Sequence, residues 1–181
     1  MYYLADIDGL EEKDKSLKLN DYYVFDNGFS EEESLRIIRE NEPSETLEFV
    51  DKNFWVYDRL SNFAREANNE SWRFNINGFS EPATLHSFSD REVSAPLSDI
   101  AKNFSENNKQ YSKISFHICL SQEDDYQGGE HLIHNSGTPV YAKKSIGTCL
   151  FFPSYMVSGI TPVTKGVKWC LKGFLFGPHF K

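Results

Sequence analysis

The sequence predicts an α+β fold that is mainly β, in which N-terminal helices support a β-sandwich or barrel. Apolar residues recur with a helical period only before Trp72, and with a period of two at several places after it. Aromatic residues make up 15% of the 181 residues, and their rings suit the pleated surface of a sheet. Strands that follow helices, rather than alternate with them, are typical of this fold class.

Two helices are predicted after a first strand at residues 21–25. Ser30 and Glu33 have the spacing of a capping box, in which each side chain bonds the other residue's backbone N–H. Leu35 and Ile38 are predicted to form the apolar stripe of the short helix that follows. A longer helix, ending near Asn68-Asn69, is predicted from apolar residues on one face, namely Val56, Leu60, Phe63 and Ala67.

The remaining chain is predicted to be strands separated by turns. Gly128-Gly129 indicates a turn, because glycine readily takes the positive φ angles that tight turns require. Residues 89–112 are polar and predict a long loop or a short helix. Alternating side chains predict three strands, which contain Trp72, Phe74 and Ile76; Ile114, Phe116, Ile118 and Leu120; and Val167, Trp169, Leu171 and Gly173.

Length and composition predict one folded domain over residues 21–181, preceded by an N-terminal extension over residues 1–20. No apolar run is long enough to span a bilayer. The first residues carry acids where a signal peptide has a basic start, so secretion by that route is not expected. The cysteines form no CxxC pair and lie in apolar runs, which predicts buried thiols in a reducing compartment for Cys119, Cys149 and Cys170.

Charge limits the classes of partner. The net charge is -8, and residues 1–60 hold 16 acidic and 7 basic side chains. An acidic chain is a poor partner for nucleic acid or an anionic membrane, so neither is expected. Two interpretations of the acidic third remain open: solvated helix faces, or a docking surface for a basic partner.

From residue 113 onward the chain reads KISFHICLSQEDDYQGGEHLIH, and later FPS and TPVTKG followed by an alternating strand. Together with FWVYDRLSNFAREAN and SWRFNINGFSE, these segments resemble the 2-oxoglutarate/Fe(II) dioxygenases of prolyl-4-hydroxylase type, and phage-encoded members most closely. The resemblance covers roughly residues 20–181. It implies a double-stranded β-helix, a cupin-like jelly roll with supporting N-terminal helices.

The resemblance also implies an iron site. Members of this family hold Fe(II) with two histidines and one carboxylate, which leaves coordination positions free for 2-oxoglutarate and oxygen. The first histidine and the aspartate form an HxD motif, and the second histidine precedes the segment corresponding to TPVTKG. A basic residue ten positions after that histidine pairs with the distal carboxylate of 2-oxoglutarate.

This sequence departs from the family at the iron ligands. The HxD motif falls within SAPLSD, where either Pro96 and Ser98 or, one residue later, Leu97 and Asp99 occupy the ligand positions. Ser158 stands at the second histidine position. No histidine lies between His86 and His117 or between His134 and His179. The degenerate positions are therefore Leu97, Asp99 and Ser158, of which at most Asp99 resembles a ligand.

The basic position is retained, because Lys168 lies ten residues after Ser158 and is predicted to share a strand face with Cys170 and Lys172. Two interpretations of Lys168 remain open at this stage. It is either a vestigial anchor for the carboxylate of 2-oxoglutarate or a solvated or internally paired lysine.

The remaining histidines offer a rebuilt site as an alternative. His117 is predicted to face inward from its strand, so a relocated metal site of His86 and His117 with Asp90 or Asp99 is conceivable. A hydrogen-bonded core residue is the simpler interpretation of His86 and of His117. His131 and His134 are predicted to form a surface pair.

These observations favour a non-catalytic dioxygenase-fold protein, a pseudoenzyme without a cofactor. Such a chain is expected to act through protein partners as a structural or assembly module, in a phage virion or in the host cytoplasm. The alternative is an active 2-oxoglutarate/Fe(II)-dependent hydroxylase with relocated metal ligands. A small-molecule binding module that uses the pocket near Lys168 also stays open.

Overall fold

The computed structural model describes residues 21–43, 45–89, 92, 94–98, 104–105, 110–135 and 138–179, with residues 94–98, 104–105, 135 and 138 described through their backbone alone. The predicted extension over residues 1–20 lies outside this part of the chain. The helices are α1 (Glu31–Glu40) and α2 (Asp51–Ser71). The strands are β1 (Tyr23–Phe25), β2 (Thr46–Leu47), β3 (Ala83–Phe88), β4 (Ser94–Ser98), β5 (Phe104–Ser105), β6 (Gln110–Cys119), β7 (Tyr126–Gly128), β8 (His131–Asn135), β9 (Thr138–Tyr141), β10 (Cys149–Pro153), β11 (Val157–Ile160), β12 (Val163–Gly166) and β13 (Lys168–Gly177).

Most of these strands form two antiparallel sheets. The larger sheet has the order β1-β10-β6-β13-β3-β2, with β5 added beside β6, and the smaller has the order β4-β11-β8-β9. Strands β7 and β12 pair separately. The chain crosses between the two sheets several times, for example from β3 to β4 and from β10 to β11, as the chain of a jelly roll does. The predicted fold class, mainly β with supporting N-terminal helices, is confirmed.

The two faces of the larger sheet have different roles. On one face, Ile118 and Leu171 are directly paired across β6 and β13 and belong to a core that includes Leu60 of α2. On the other face, Cys170 packs with Ile160 of the smaller sheet. Because successive residues of a strand point to opposite faces, every second residue of β6 and β13 faces the space between the sheets.

Helix α1 begins as predicted, although its buried stripe differs from the prediction. The Ser30 hydroxyl accepts a hydrogen bond from the Glu33 backbone N–H, and the Ser30 N–H donates to the Glu33 carboxylate. The buried residues are Ser34 and Ile37, whereas Leu35 is 43% exposed. The row of helix residues that packs against the core contains Ser34 and Ile37. Leu35 and Ile38 lie beside this row, so the buried stripe is shifted by one residue from the predicted one.

Helix α2 is longer than predicted, and the strand predicted after it is absent. The helix continues to Ser71. The side-chain amide of Asn68 then makes two hydrogen bonds to Phe74: its oxygen accepts from the Phe74 backbone N–H at 2.8 Å, and its nitrogen donates to the Phe74 carbonyl at 2.9 Å. These bonds use the polar groups that a strand would have offered to a neighbour. Residues 73–77 are consequently irregular.

Residues 89–112 also differ from the prediction of a loop or short helix. They contain β4 and β5 and the beginning of β6. Strand β4 pairs with β11, a contact between segments distant in sequence that a local pattern cannot reveal.

Cys119, Cys149 and Cys170 are free and buried, as predicted. Neither helix in the described part of the chain has the length and apolar composition that a bilayer-spanning segment needs.

An ion pair joins the two helices and gives a testable pH dependence. The Arg59 guanidinium binds both carboxylate oxygens of Glu33, at 2.6 and 2.7 Å, and lies 4.9 Å from the centre of the Phe29 ring. The hydrogen bond from Arg59 lowers the pKa of Glu33 to about 2. Because the carboxylate is charged in the pair and its pKa is near 4.3 when unfolded, the stabilisation is complete above that value and is lost as pH falls toward 2.

We predict that Glu33→Gln lowers the free energy of unfolding by about 1 kcal/mol at pH 7, because a two-point ion pair with a partly buried arginine is lost. The difference from the parent protein should shrink as pH falls below about 4.3 and vanish only below about pH 2, where Glu33 is protonated in the folded chain as well. Urea denaturation at several pH values measures both. Glu32→Gln, in the same helical turn, is the control. A difference that does not change with pH would contradict the assignment.

Candidate functional site

The candidate site lies between the two sheets, where β13 begins. Lys168 is 2% exposed, and its Cα pairs with that of Phe88 on β3. The predicted shared face of Lys168, Cys170 and Lys172 agrees with the strand, since Cys170 is buried between the sheets. Alternation along β13 thus turns a lysine ammonium into the interior.

One backbone carbonyl binds this ammonium. Lys168 Nζ donates a hydrogen bond of 2.7 Å to the carbonyl oxygen of Gly129. Gly129 has a φ of 63°, in the left-handed region, as the predicted glycine turn requires. A Cβ atom there would lie 3.2 Å from Lys168 Cδ and 2.9 Å from Val163 Cγ2. Glycine therefore lets the turn approach the lysine side chain closely.

Tyr126 lies between two ammonium groups. The centre of its ring is 5.2 Å from Lys168 Nζ and 4.7 Å from Lys144 Nζ. Rings attract cations at such distances, although less strongly than a carboxylate does. Lys144 has an acidic partner as well, since its Nζ lies 3.6 Å from Glu130, which also accepts a hydrogen bond from Thr161.

Lys168 itself has no such acidic partner among the described residues. Burial lowers the pKa of Lys168 below its usual range, and the charges of Lys172 and Lys144 lower it further. A buried ammonium without a counter-ion costs several kcal/mol. The interior near Lys168 is therefore suited to a negatively charged group.

Two of the three degenerate iron positions lie on paired strands. Strand β4 pairs with β11 so that the Cα of Leu97 is opposite that of Ser158. This register favours the alignment with Leu97 and Asp99 over the one with Pro96 and Ser98. Asp99 lies outside the described residues, and the side chains of β4 are not described.

The residues at these positions do not fit a ferrous ion. Leucine has no donor atom, and the neutral hydroxyl of half-buried Ser158 is a weak ligand compared with imidazole or carboxylate. The positions that the resemblance assigns to the two iron-binding histidines therefore supply no imidazole.

The histidines contradict one prediction and confirm another. His117 faces inward, as predicted, and is 3% exposed. His131 is also 3% exposed rather than on the surface, whereas His134 is exposed. The rings of His117 and His131 stack with centres 4.2 Å apart. The predicted surface pair is wrong for His131 because β8 turns this residue toward the larger sheet.

These two rings carry unused polar atoms. Among the described residues, neither Nε2 of His117 nor Nδ1 of His131 has a hydrogen-bond partner. Burial holds the pKa of both rings well below the usual value, so both are neutral at pH 7. Burial likewise lowers the pKa of His86 to about 4.

The stacked pair does not fit a metal ion in this arrangement. Ligating lone pairs lie in the ring planes, and these planes are nearly parallel, at 15°. Two such rings cannot both point at one ion. Within the described part of the chain, no three His, Cys, Asp or Glu side chains form a group suited to a metal. The proposed use of Asp90 or Asp99 falls on residues outside it.

Sequence reasoning did not identify every residue of this site. Lys172 was predicted to share a strand face with Lys168, but no function was predicted for it. Nothing was predicted for Tyr126. Alternation along β13 was the available signal for Lys172. No local pattern predicts the position of Tyr126, because its contacts depend on the turn at Gly129.

Comparisons with known proteins agree with this architecture. No protein-family model matches the chain. Part of it is 31% identical over 68 residues to a PKHD-type hydroxylase of Picosynechococcus sp., covering 38% of this chain and 31% of that protein. It is 34% identical over 58 residues to a PKHD-type hydroxylase of Saccharophagus degradans, covering 32% of this chain and 26% of that protein. The matches thus span about a quarter to a third of these relatives.

Solved structures match over most of the chain. A viral collagen prolyl hydroxylase from Paramecium Bursaria Chlorella virus-1, in complex with 2-oxoglutarate, has a TM-score of 0.66 at 18% identity, over 88% of this chain and 97% of that one. A prolyl-4-hydroxylase of Pseudomonas putida has a TM-score of 0.67 at 12% identity, over 92% of this chain and 97% of that one.

These findings correct one expectation. The prediction that the chain takes no cofactor is wrong in the light of its relatives, which are hydroxylases by name and include a 2-oxoglutarate complex and a member of the 2OG-Fe(II) oxygenase family. The prediction was based on the residues at the iron positions. The chain has the double-stranded β-helix fold of the prolyl-hydroxylase-like 2-oxoglutarate oxygenases.

Proposed function

We propose that this chain binds 2-oxoglutarate between its sheets, with Lys168 pairing the distal carboxylate. One observation carries the proposal: the buried ammonium of Lys168 has no carboxylate partner among the described residues. A ligand carboxylate would supply the missing charge. The position ten residues after Ser158 is the one at which the resemblance places the anchor.

The surroundings of Lys168 favour an incoming carboxylate over a solvated lysine. An ammonium has three N–H donors, and one of them binds the Gly129 carbonyl. The Tyr126 ring on one side holds the group without neutralising it. The remaining donors, in surroundings of low polarity, would bind a carboxylate more strongly than they would in water.

The comparisons support a 2-oxoglutarate ligand. The matched viral collagen prolyl hydroxylase was solved as a 2-oxoglutarate complex, and its fold covers most of this chain. The relatives by sequence are hydroxylases by name. For this chain, hydroxylation of the prolyl-4-hydroxylase type is the reaction that these similarities favour, with any ferrous ligands away from the family positions.

A second candidate function is a non-catalytic module that contacts other proteins, as a structural or assembly component of a phage particle. The pairing of Leu97 with Ser158 favours it, because these residues replace both histidines of the family site. The acidic residues concentrated in positions 1–60 then serve as a contact surface for a basic partner. Under this function, 2-oxoglutarate binding at Lys168 is retained without turnover.

We predict that Lys168→Met weakens 2-oxoglutarate binding and leaves the fold at least as stable. Methionine fills similar space without a buried charge, so the desolvation cost of the ammonium disappears. Isothermal titration calorimetry should show affinity reduced by about tenfold or more, and thermal unfolding should show no loss of stability.

Lys165→Met, at an exposed position of β12, is the matched control and should change neither quantity. If Lys168→Met instead destabilises the protein by several kcal/mol while binding persists, Lys168 has a structural role and the proposed function fails.

Restoring the family ligands separates the two functions. We predict that Leu97→His with Ser158→His gains Fe(II) binding and releases succinate from 2-oxoglutarate at least about tenfold faster than the parent chain, because two imidazoles bind Fe(II) far better than leucine and serine. Iron content after anaerobic loading and succinate production measure these gains. Leu97→Asn with Ser158→Asn is the control.

A parent chain that already turns over 2-oxoglutarate as fast as the restored variant would contradict the non-catalytic function. It would instead support a hydroxylase with relocated ligands. A restored variant that folds but binds no iron would contradict the placement of Leu97 and Ser158 at the family site.

A further inference from the structure

A second lysine reaches the same interior. The Cα of Lys172 pairs with that of His117 on β6, four residues along β13 from Lys168. Its Nζ nevertheless lies 5.3 Å from the centre of the Phe88 ring, and Phe88 is the cross-strand partner of Lys168. The side chain of Lys172 therefore extends back along the strand, toward the end of β13 where Lys168 lies.

The two ammonium groups act on the same surroundings. Lys172 lowers the pKa of Lys168, and it also contributes to lowering the pKa values of His86, His117 and His131. Like charges in one interior repel each other, and the attraction of both to an anion bound between them offsets this repulsion.

No protein carboxylate relieves this repulsion in the described part of the chain. Lys172 forms no ion pair there, and the Phe88 ring is its recorded cation contact. Glu130, which lies near Tyr126, is engaged with Lys144 and Thr161. Among the described residues, the buried Lys168 and the half-buried Lys172 are thus two lysines without a carboxylate partner.

The stacked histidines add hydrogen-bonding capacity beside these charges. Nε2 of His117 and Nδ1 of His131 are buried and unpartnered. A neutral imidazole has one N–H donor and one acceptor nitrogen. In the tautomer that carries the proton on its unpartnered nitrogen, each ring can donate a hydrogen bond to a ligand oxygen. An unsatisfied buried polar atom is costly, and a bound carboxylate would satisfy it.

We propose that Lys172, together with the His117–His131 pair, forms a second carboxylate subsite, so that the interior binds a dicarboxylate dianion through protein charges at both ends. The inference rests on the proposed function, since Lys168 holds the first carboxylate. In the family that this chain resembles, a ferrous ion binds the other end of 2-oxoglutarate. Under this inference, Lys172 binds that end instead. The ligand class is an aliphatic dicarboxylate, with glutarate and 2-oxoglutarate as examples.

The test compares a dicarboxylate with a monocarboxylate of the same length in the absence of free metal. Glutarate and pentanoate are titrated into the full chain in buffer containing EDTA, by isothermal titration calorimetry. The parent chain should bind glutarate at least about tenfold more tightly than pentanoate, because a second charge-assisted contact is made.

Two variants locate this second contact. Lys172→Met should weaken glutarate binding by about tenfold or more and leave pentanoate binding unchanged, whereas Lys168→Met should weaken both. Lys172→Arg should restore most of the glutarate affinity by keeping the charge. Lys165→Met is the surface control, and circular dichroism confirms that each variant is folded.

The outcomes separate this inference from the proposed function. If glutarate and 2-oxoglutarate bind through Lys168 but Lys172→Met has no effect, the second subsite is overturned and the proposed function stands. If 2-oxoglutarate binds only when Mn(II) or Fe(II) is added, a metal holds the second carboxylate and the inference is likewise overturned. If no dicarboxylate binds with or without metal, both fail.

Discussion

The burial of the Lys168 ammonium is the constraint on which the rest of this account depends. A charge that is 2% exposed, and bound by one carbonyl and one aromatic ring, is held at a cost that the fold must offset elsewhere. The hydrocarbon core between the larger sheet and α2 provides that stability, because Leu60, Ile118 and Leu171 are fully buried there. The sheet can therefore keep a costly charged face on its other side.

The two candidate centres in the interior have opposite chemical character. At one centre, the backbone register brings Leu97 opposite Ser158, and neither residue type is a strong metal ligand. Near the start of β13, the buried Lys168 lies close enough to Lys172 to feel its charge. The rings of His117 and His131 each have a buried nitrogen without a partner among the described residues. A buried ammonium and neutral imidazoles with unpartnered nitrogens together suit an anion better than a metal cation.

Much of the fold could be predicted from the sequence, because its signals are local. The Ser30 cap, the apolar face of α2 and the alternation of β6 and β13 each follow from residue spacing. The segment around Phe74 could not be predicted, since Asn68 captures its backbone and prevents a strand. Strand β4 was missed because its partner β11 is distant in sequence. In the site, Lys168 was identified through its spacing from Ser158, whereas the burial of His131 depends on how the two sheets face each other.

A crystal structure of the chain grown with 2-oxoglutarate and EDTA would test the central claim most directly. The account predicts a carboxylate of the ligand within hydrogen-bonding distance of Lys168 Nζ, about 2.8 Å, with the Gly129 contact retained. An empty interior in which an acidic side chain of the protein itself, such as Asp90 or Asp99, pairs with Lys168 would contradict it. In that case, the charge would be neutralised within the fold and the interior would have no need of a ligand.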